Sequence, residues 1–183
     1  MKVKEIVLAA ANALGIKDEV GAYFAGTSLV QKKEGDRLLA CFNIVENELA
    51  LDYLPLHAED VFESETGRLE FAAFKFAPVR IVRVMNEARE SVRFSVYPEY
   101  LKTEVGKLTV RYTYTPEEKT IDGKSDYVLY ASERLFVYGI LAEYCLGEGL
   151  FEEASAWDKK YKEALKAACK AVPCTRLKSR RWV

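Results

Sequence analysis

The hydrophobic period changes twice along this chain, and nothing else in the sequence constrains its fold as much. Over residues 2–14, Val3, Ile6, Val7, Ala10 and Leu14 fall on one face at spacings of three and four, which predicts a short helix that Gly15 can end. A further short turn of helix is expected over 17–25 and a loop over 26–36. From Asp36, a good N-cap, Leu38, Phe42, Val45, Leu49 and Tyr53 recur at helical steps until Pro55 stops them. The period then becomes two. Val92, Phe94 and Val96 alternate with Ser91, Arg93 and Ser95, and Leu108, Val110, Tyr112 and Tyr114 alternate with Thr109, Arg111 and Thr113, the pattern of strands with one buried and one wet face. Residues 69–76 and 79–85 are strand-like, and Val61 and Phe62 add a short edge strand.

Helical spacing returns after Asp126. The apolar set Tyr127, Tyr130, Leu135, Tyr138, Leu141, Ala142 and Cys145, widened by Phe136 and Ile140, predicts a helix to about Leu146 that is buried on more than one face. Gly147 and Gly149 break it. A last helix to about Ala171 carries the stripe Leu150, Ala154, Trp157, Tyr161, Ala164 and Ala168, with Asp158 and Lys162 placed for an i, i+4 pair. The expected fold class is therefore α+β. A helical bundle built from both chain ends carries an inserted antiparallel sheet of about four strands over 58–116, in a single domain of residues 1–173. Pro173 precedes an extended, basic C-terminal arm over 174–183.

Composition adds exclusions. A chain of 183 residues, half of them apolar, can bury a core without staples, and no run reaches the length of a membrane span. The apolar stretch at Ile6–Ala11 lacks a small-residue cleavage site and is expected to be the first helix, not a signal peptide. Cys41 and Cys145 fall on apolar helix faces, and Cys169 and Cys174 lack metal or redox spacing. A reduced thiol set of intracellular type is expected.

Few residues suggest chemistry. The single histidine, His57, cannot build a two-histidine metal site, and no HExxH or CxxC accompanies it. Ser28 and Ser132 lack a nucleophile-elbow setting, and the glycines at 21 and 26 make no phosphate cradle. The carboxylates Glu59, Asp60, Glu63 and Glu65, with Glu117 and Glu118, read as solvated clusters in loops. Arg80, Arg83, Arg89, Arg93 and Arg111 lie in or beside the strands and suit the surface, a neighbouring subunit or nucleic acid. The expectation is a protein that is not an enzyme, with no catalytic, cofactor-binding or metal site and no cofactor.

The C terminus differs in kind from the body. Residues 170–183 hold Lys170, Arg176, Lys178, Arg180 and Arg181 and no acid, a charge of +5, so a net charge of −1 leaves −6 on the rest. A solvated tail gains nothing from a terminal Trp, whereas Arg and Trp are the residue types most enriched at interface anchors. Arg176, Lys178, Arg180, Arg181, Trp182 and Val183 are therefore the expected partner-docking residues.

Four segments resemble the head–tail connector (adaptor) proteins of tailed bacteriophages and prophages. They are the helix end at 43–56 (NIVENELALDYLPL), the strands at 97–104 and 110–116, the glycine-broken helix pair at 138–161 with its Glu-Ala…Trp…Tyr stripe, and the ending Arg180-Arg-Trp-Val183. The resemblance implies a structural virion subunit that assembles as a ring under the portal. Its partners would be the portal protein and neighbouring connector subunits, with double-stranded DNA passing through the ring without sequence-specific binding, and no membrane. It would locate the chain in the virion, and in the host cytoplasm before assembly. The chain departs from the shorter members in its larger β insertion. Two other classes fit the residues: a nucleic-acid-binding module using the basic tail and the arginine-bearing sheet, and a small hydrolase built around His57.

Overall fold

The computed structural model describes residues 1–171. Helices and antiparallel sheets are both present, so the protein is of the α+β class. Its helices are α1 (Val3–Ala13), α2 (Lys17–Phe24), α3 (Lys32–Glu48), α4 (Glu133–Gly147) and α5 (Phe151–Ala171). Six strands lie between α3 and α4: β1 (Leu56–Ser64), β2 (Arg68–Glu70), β3 (Pro78–Met85), β4 (Ser95–Val96), β5 (Tyr100–Lys102) and β6 (Gly106–Tyr114). The chain divides into two compact units, one of residues 1–42 with 119 onward, the other of residues 43–118. The second is thus inserted in the first, and the boundary falls within α3.

In the discontinuous unit, α4 packs along α5 and against α1, and α1 also meets α2. The wide apolar surface of α4 is used as its sequence suggests: Leu135, Phe136, Gly139, Ile140, Leu141, Ala142 and Cys145 are all buried. Phe136 stacks on Phe42 of α3 at 5.3 Å between ring centroids. A polar seam completes the α3–α4 contact. Arg37 pairs with Glu148 and lies over the Tyr144 ring, while the Tyr144 hydroxyl donates to Glu34. Burial first, and then that carboxylate, push the Tyr144 hydroxyl up to about 12, so it remains a donor at physiological pH. The returning chain is stitched to the N terminus, with Val3 N–H donating to the Gly123 carbonyl at 3.1 Å and Ser125 N–H to that of Met1 at 3.0 Å.

Two helix boundaries differ from the sequence expectation. α3 starts at Lys32, four residues before Asp36, whose carboxylate instead accepts the Tyr23 hydroxyl at 2.6 Å. α4 starts at Glu133, capped by the Ser132 hydroxyl, which accepts from Leu135 N–H. Residues 127–131 cannot join it because Tyr130 has a left-handed φ of 68°. The stripe that begins at Leu38 also ends early. Leu38, Phe42, Val45 and Leu49 are fully buried but Tyr53 is 44% exposed. The helix widens to a π turn over Leu49–Tyr53, and the wider turn rotates Tyr53 out of phase with the stripe.

The inserted unit differs from the expected sheet of about four strands. Its strands form two three-stranded antiparallel sheets, ordered β1-β6-β3 and β2-β5-β4. The inner faces share a core of Leu69, Phe74, Val84, Val92, Leu101, Leu108, Val110 and Tyr112. β2, β4 and β5 have only two or three residues each, too few to display an alternation. β1 does alternate, but two of its core-side positions are the polar Asp60 and Ser64. Gly67 turns β1 into β2 with φ 70°; a Cβ there would run into the Thr103 carbonyl oxygen.

Asp60 faces inward, where one of its carboxylate oxygens accepts two hydrogen bonds. Its Oδ2 accepts the Tyr112 hydroxyl at 2.7 Å and Lys75 N–H at 2.8 Å, and Phe76 N–H donates to the Tyr112 oxygen at 3.3 Å. Burial, then the Asp60 hydrogen bond, push the Tyr112 hydroxyl up to about 12. Tyr112→Phe strands the Asp60 and Phe76 groups together. The expected outcome in urea denaturation is a loss of about 1–3 kcal/mol with an unchanged m-value.

Candidate functional site

Register on β6 decides what the open face of the first sheet displays. His57 pairs with Thr113, Glu59 with Arg111, Val61 with Thr109 and Glu63 with Lys107 across β1–β6. Arg80 pairs with Thr113 and Arg83 with Arg111 across β6–β3. Since Val110 and Tyr112 point into the core, the intervening residues lie on the other face, where Arg111 is exposed and Thr113 is buried. The face is graded: acidic on β1, basic on β3. One row reads Glu59, Arg111, Arg83. Arg111 Nε lies 3.8 Å from Glu59 Oε1, and on its other side it directly opposes Arg83, an arrangement of like charges that destabilises a sheet on its own.

The sequence-selected arginines therefore divide. Arg80, Arg83 and Arg111 share this face, whereas Arg89 occupies a turn with φ 61° and Arg93 lines a shallow depression with Phe94, Tyr97 and Lys102. The carboxylates expected in loops also divide. Glu59 and Glu63 stand on the outer face of β1, Asp60 is turned inward, and Glu65 follows the strand. Only the β pairing, which a charge-rich run conceals, reveals this.

His57 belongs to the same face. Burial first, and then the Arg111 guanidinium, lower its pKa from the ordinary histidine value, so the neutral imidazole is favoured. A histidine oriented by a carboxylate as a general base would be shifted the other way. Among the described residues no three His, Cys, Asp or Glu side chains converge as a metal-binding group. Cys41 and Cys145 are buried and free. Burial raises both thiols, Cys41 to about 11 with Glu143 as the second cause, so both behave as small hydrophobes. No helix among the described residues is long and apolar enough to cross a membrane.

The helical unit offers a second kind of surface. Large apolar side chains stand in water in consecutive pairs: Leu29 with Val30, Val128 with Leu129, and Leu150 with Phe151, the last 70% exposed. The Leu150–Phe151 pair sits where Gly149, at φ 77°, turns α4 into α5. Between α4 and α5 runs a groove of about 540 Å³, floored by Ala164, Ala167 and Ala168 and walled by Tyr130, Arg134, Tyr138 and Lys160. Lys160 Nζ lies 4.0 Å from the Trp157 ring centroid, a cation–π contact.

The expected docking residues Arg176, Lys178, Arg180, Arg181, Trp182 and Val183 lie outside the described residues. No protein-family model matches the chain, and comparison with curated proteins finds no match. Arg83→Thr removes the opposition to Arg111. The unfolding free energy from urea denaturation is expected to rise at low salt by a few tenths of a kcal/mol, with the gain vanishing at about 1 M salt.

Proposed function

We propose that this protein is a structural assembly subunit of a tailed-phage virion, a head–tail connector that forms a ring beneath the portal and docks through residues 174–183. In this proposal the unit made from both chain ends is the helical bundle of the ring, and residues 43–118 are its β insertion. The observation that carries it is the set of exposed apolar pairs on the helical unit, Leu29–Val30, Val128–Leu129 and Leu150–Phe151. Adjacent large apolar side chains in water favour burial against a partner, and a ring supplies the same partner surface to every subunit. The four sequence segments that resemble the connectors support the same conclusion. Function then rests on shape and surface complementarity, with no covalent step.

The test is attachment. Full-length protein mixed with a portal ring should add a second ring of density in electron microscopy. Removing residues 174–183 should abolish that attachment while far-UV circular dichroism stays unchanged. A shortened protein that binds the portal with full affinity overturns the proposal.

A second function is favoured by one observation, the direct opposition of Arg83 to Arg111, which Glu59 offsets on one side only, with Arg80 on the same face. Such a face suits a phosphate backbone. Titration with duplex DNA should then show log K falling with log salt concentration by about 0.9 per phosphate contacted, and Arg83→Ala should reduce that slope by about one contact. A flat titration removes this function.

A further inference from the structure

β1 is the one long edge left open in the inserted unit. Among the described residues it is bonded on one side only, to β6. The opposite edge of its sheet is blunted: β3 begins at Pro78, has register shifts after Pro78 and Ile81, and has its far end covered where Val92 N–H donates to the Val84 carbonyl. The edges of the second sheet, β2 and β4, have three and two residues. β1 by contrast runs nine residues without proline or bulge, about 30 Å of unpaired backbone. Natural edge strands usually carry lysine as a deterrent. β1 has no Lys or Arg, only Glu59, Asp60 and Glu63, which deter other acidic strands but attract a basic one.

We propose that β1 of one copy accepts residues 174–183 of a second copy as an added antiparallel strand, an inference that rests on the proposal that this segment docks in trans. Three properties converge. The segment has ten residues, enough to cover nine. It carries four cations and no acid, Arg176, Lys178, Arg180 and Arg181. Its residues also alternate in step with β1. Placing Arg176 opposite Glu63 sets Lys178 opposite Val61, Arg180 opposite Glu59 and Trp182 opposite His57, all on the outer face. The same register sets Leu177 opposite Phe62, Ser179 opposite Asp60, Arg181 opposite Ala58 and diagonal to Asp60, and Val183 opposite Leu56. A slip of one residue that set Arg176 opposite Phe62 would move Arg176, Lys178 and Arg180 to the core side, opposite Phe62, Asp60 and Ala58, and is disfavoured. The ladder supplies main-chain hydrogen bonds, and the charged rows supply specificity. The half-buried Phe62, already 4.7 Å from Phe74 between ring centroids, gains an apolar neighbour.

Sedimentation velocity on the full chain tests this by charge exchange. Glu59→Lys with Glu63→Lys, and separately Arg176→Glu with Lys178→Glu and Arg180→Glu, should each weaken self-association about tenfold or more. Mixing the two reversed proteins should restore association, since each then holds the edge or segment the other needs. Glu59→Gln with Glu63→Gln, which adds no repulsion toward Arg111, should weaken association in the same direction. A labelled peptide of residues 174–183 should bind the wild-type chain and not the reversed edge. An edge variant that associates like wild type while the segment variant falls apart overturns docking on β1 and leaves the connector proposal standing, since portal attachment is measured separately. A wild-type chain that stays monomeric and leaves the peptide unbound also overturns it. A monomer that loses stability on reversal of the edge places the segment on its own β1 and overturns docking between copies.

Discussion

A helix apolar over most of its circumference cannot remain in water, and the discontinuous unit is organised by that constraint. α4 buries seven residues, so it needs cover on several sides at once. α1, α5 and the first half of α3 provide it. Because α1 and the first part of α3 precede residue 43 while α4 and α5 follow residue 118, satisfying α4 requires segments from both sides of the insertion to meet. Everything between them is free to be a separate unit with its own core. The bonds from Val3 to Gly123 and from Ser125 to Met1 close the seam where the ends join.

The inserted unit obeys a different constraint. A single three-stranded sheet leaves one apolar face in water, and two such sheets can cover each other. Tyr112 shows how closely polar groups are managed there. It is fully buried, and its hydroxyl serves Asp60 and Phe76 together. Such a group stabilises only while every member is paired. The outer face is under no such demand, and it is there that unbalanced charge collects, acids on β1 and arginines on β3.

What the sequence made legible follows from element length. The long stripes on α1, α3, α4 and α5 are repeated enough to be read, as is the alternation of β6. The Asp158–Lys162 pair on α5 is present at 2.6 Å. β2, β4 and β5 are too short to show a period. Of β1 only the short stretch at Val61 and Phe62 was legible, because Asp60 and Ser64 sit where apolar residues are expected, a substitution intelligible only once Tyr112 and Lys75 are seen beside Asp60. The start of α4 was obscured by Asp126, which reads as an N-cap, and by Tyr127 and Tyr130, which extend the helical spacing although Tyr130 is left-handed. At the outer face, sequence identified the arginines. It could not show that three of the five share a surface, because that depends on strand pairing between residues some thirty positions apart.

The stitched ends also set a timetable. A ribosome adding about 5–20 residues per second delivers α1, α2 and the first half of α3 several seconds before α4 exists. Residues 43–118 form a compact unit of their own and can fold while synthesis continues. Through that interval α1 can pack against α2 but not against α4, and part of its apolar face presents an oily surface suited to chaperones. Closure comes only as the final third of the chain emerges, so a truncated product would leave its beginning unprotected along with its missing end.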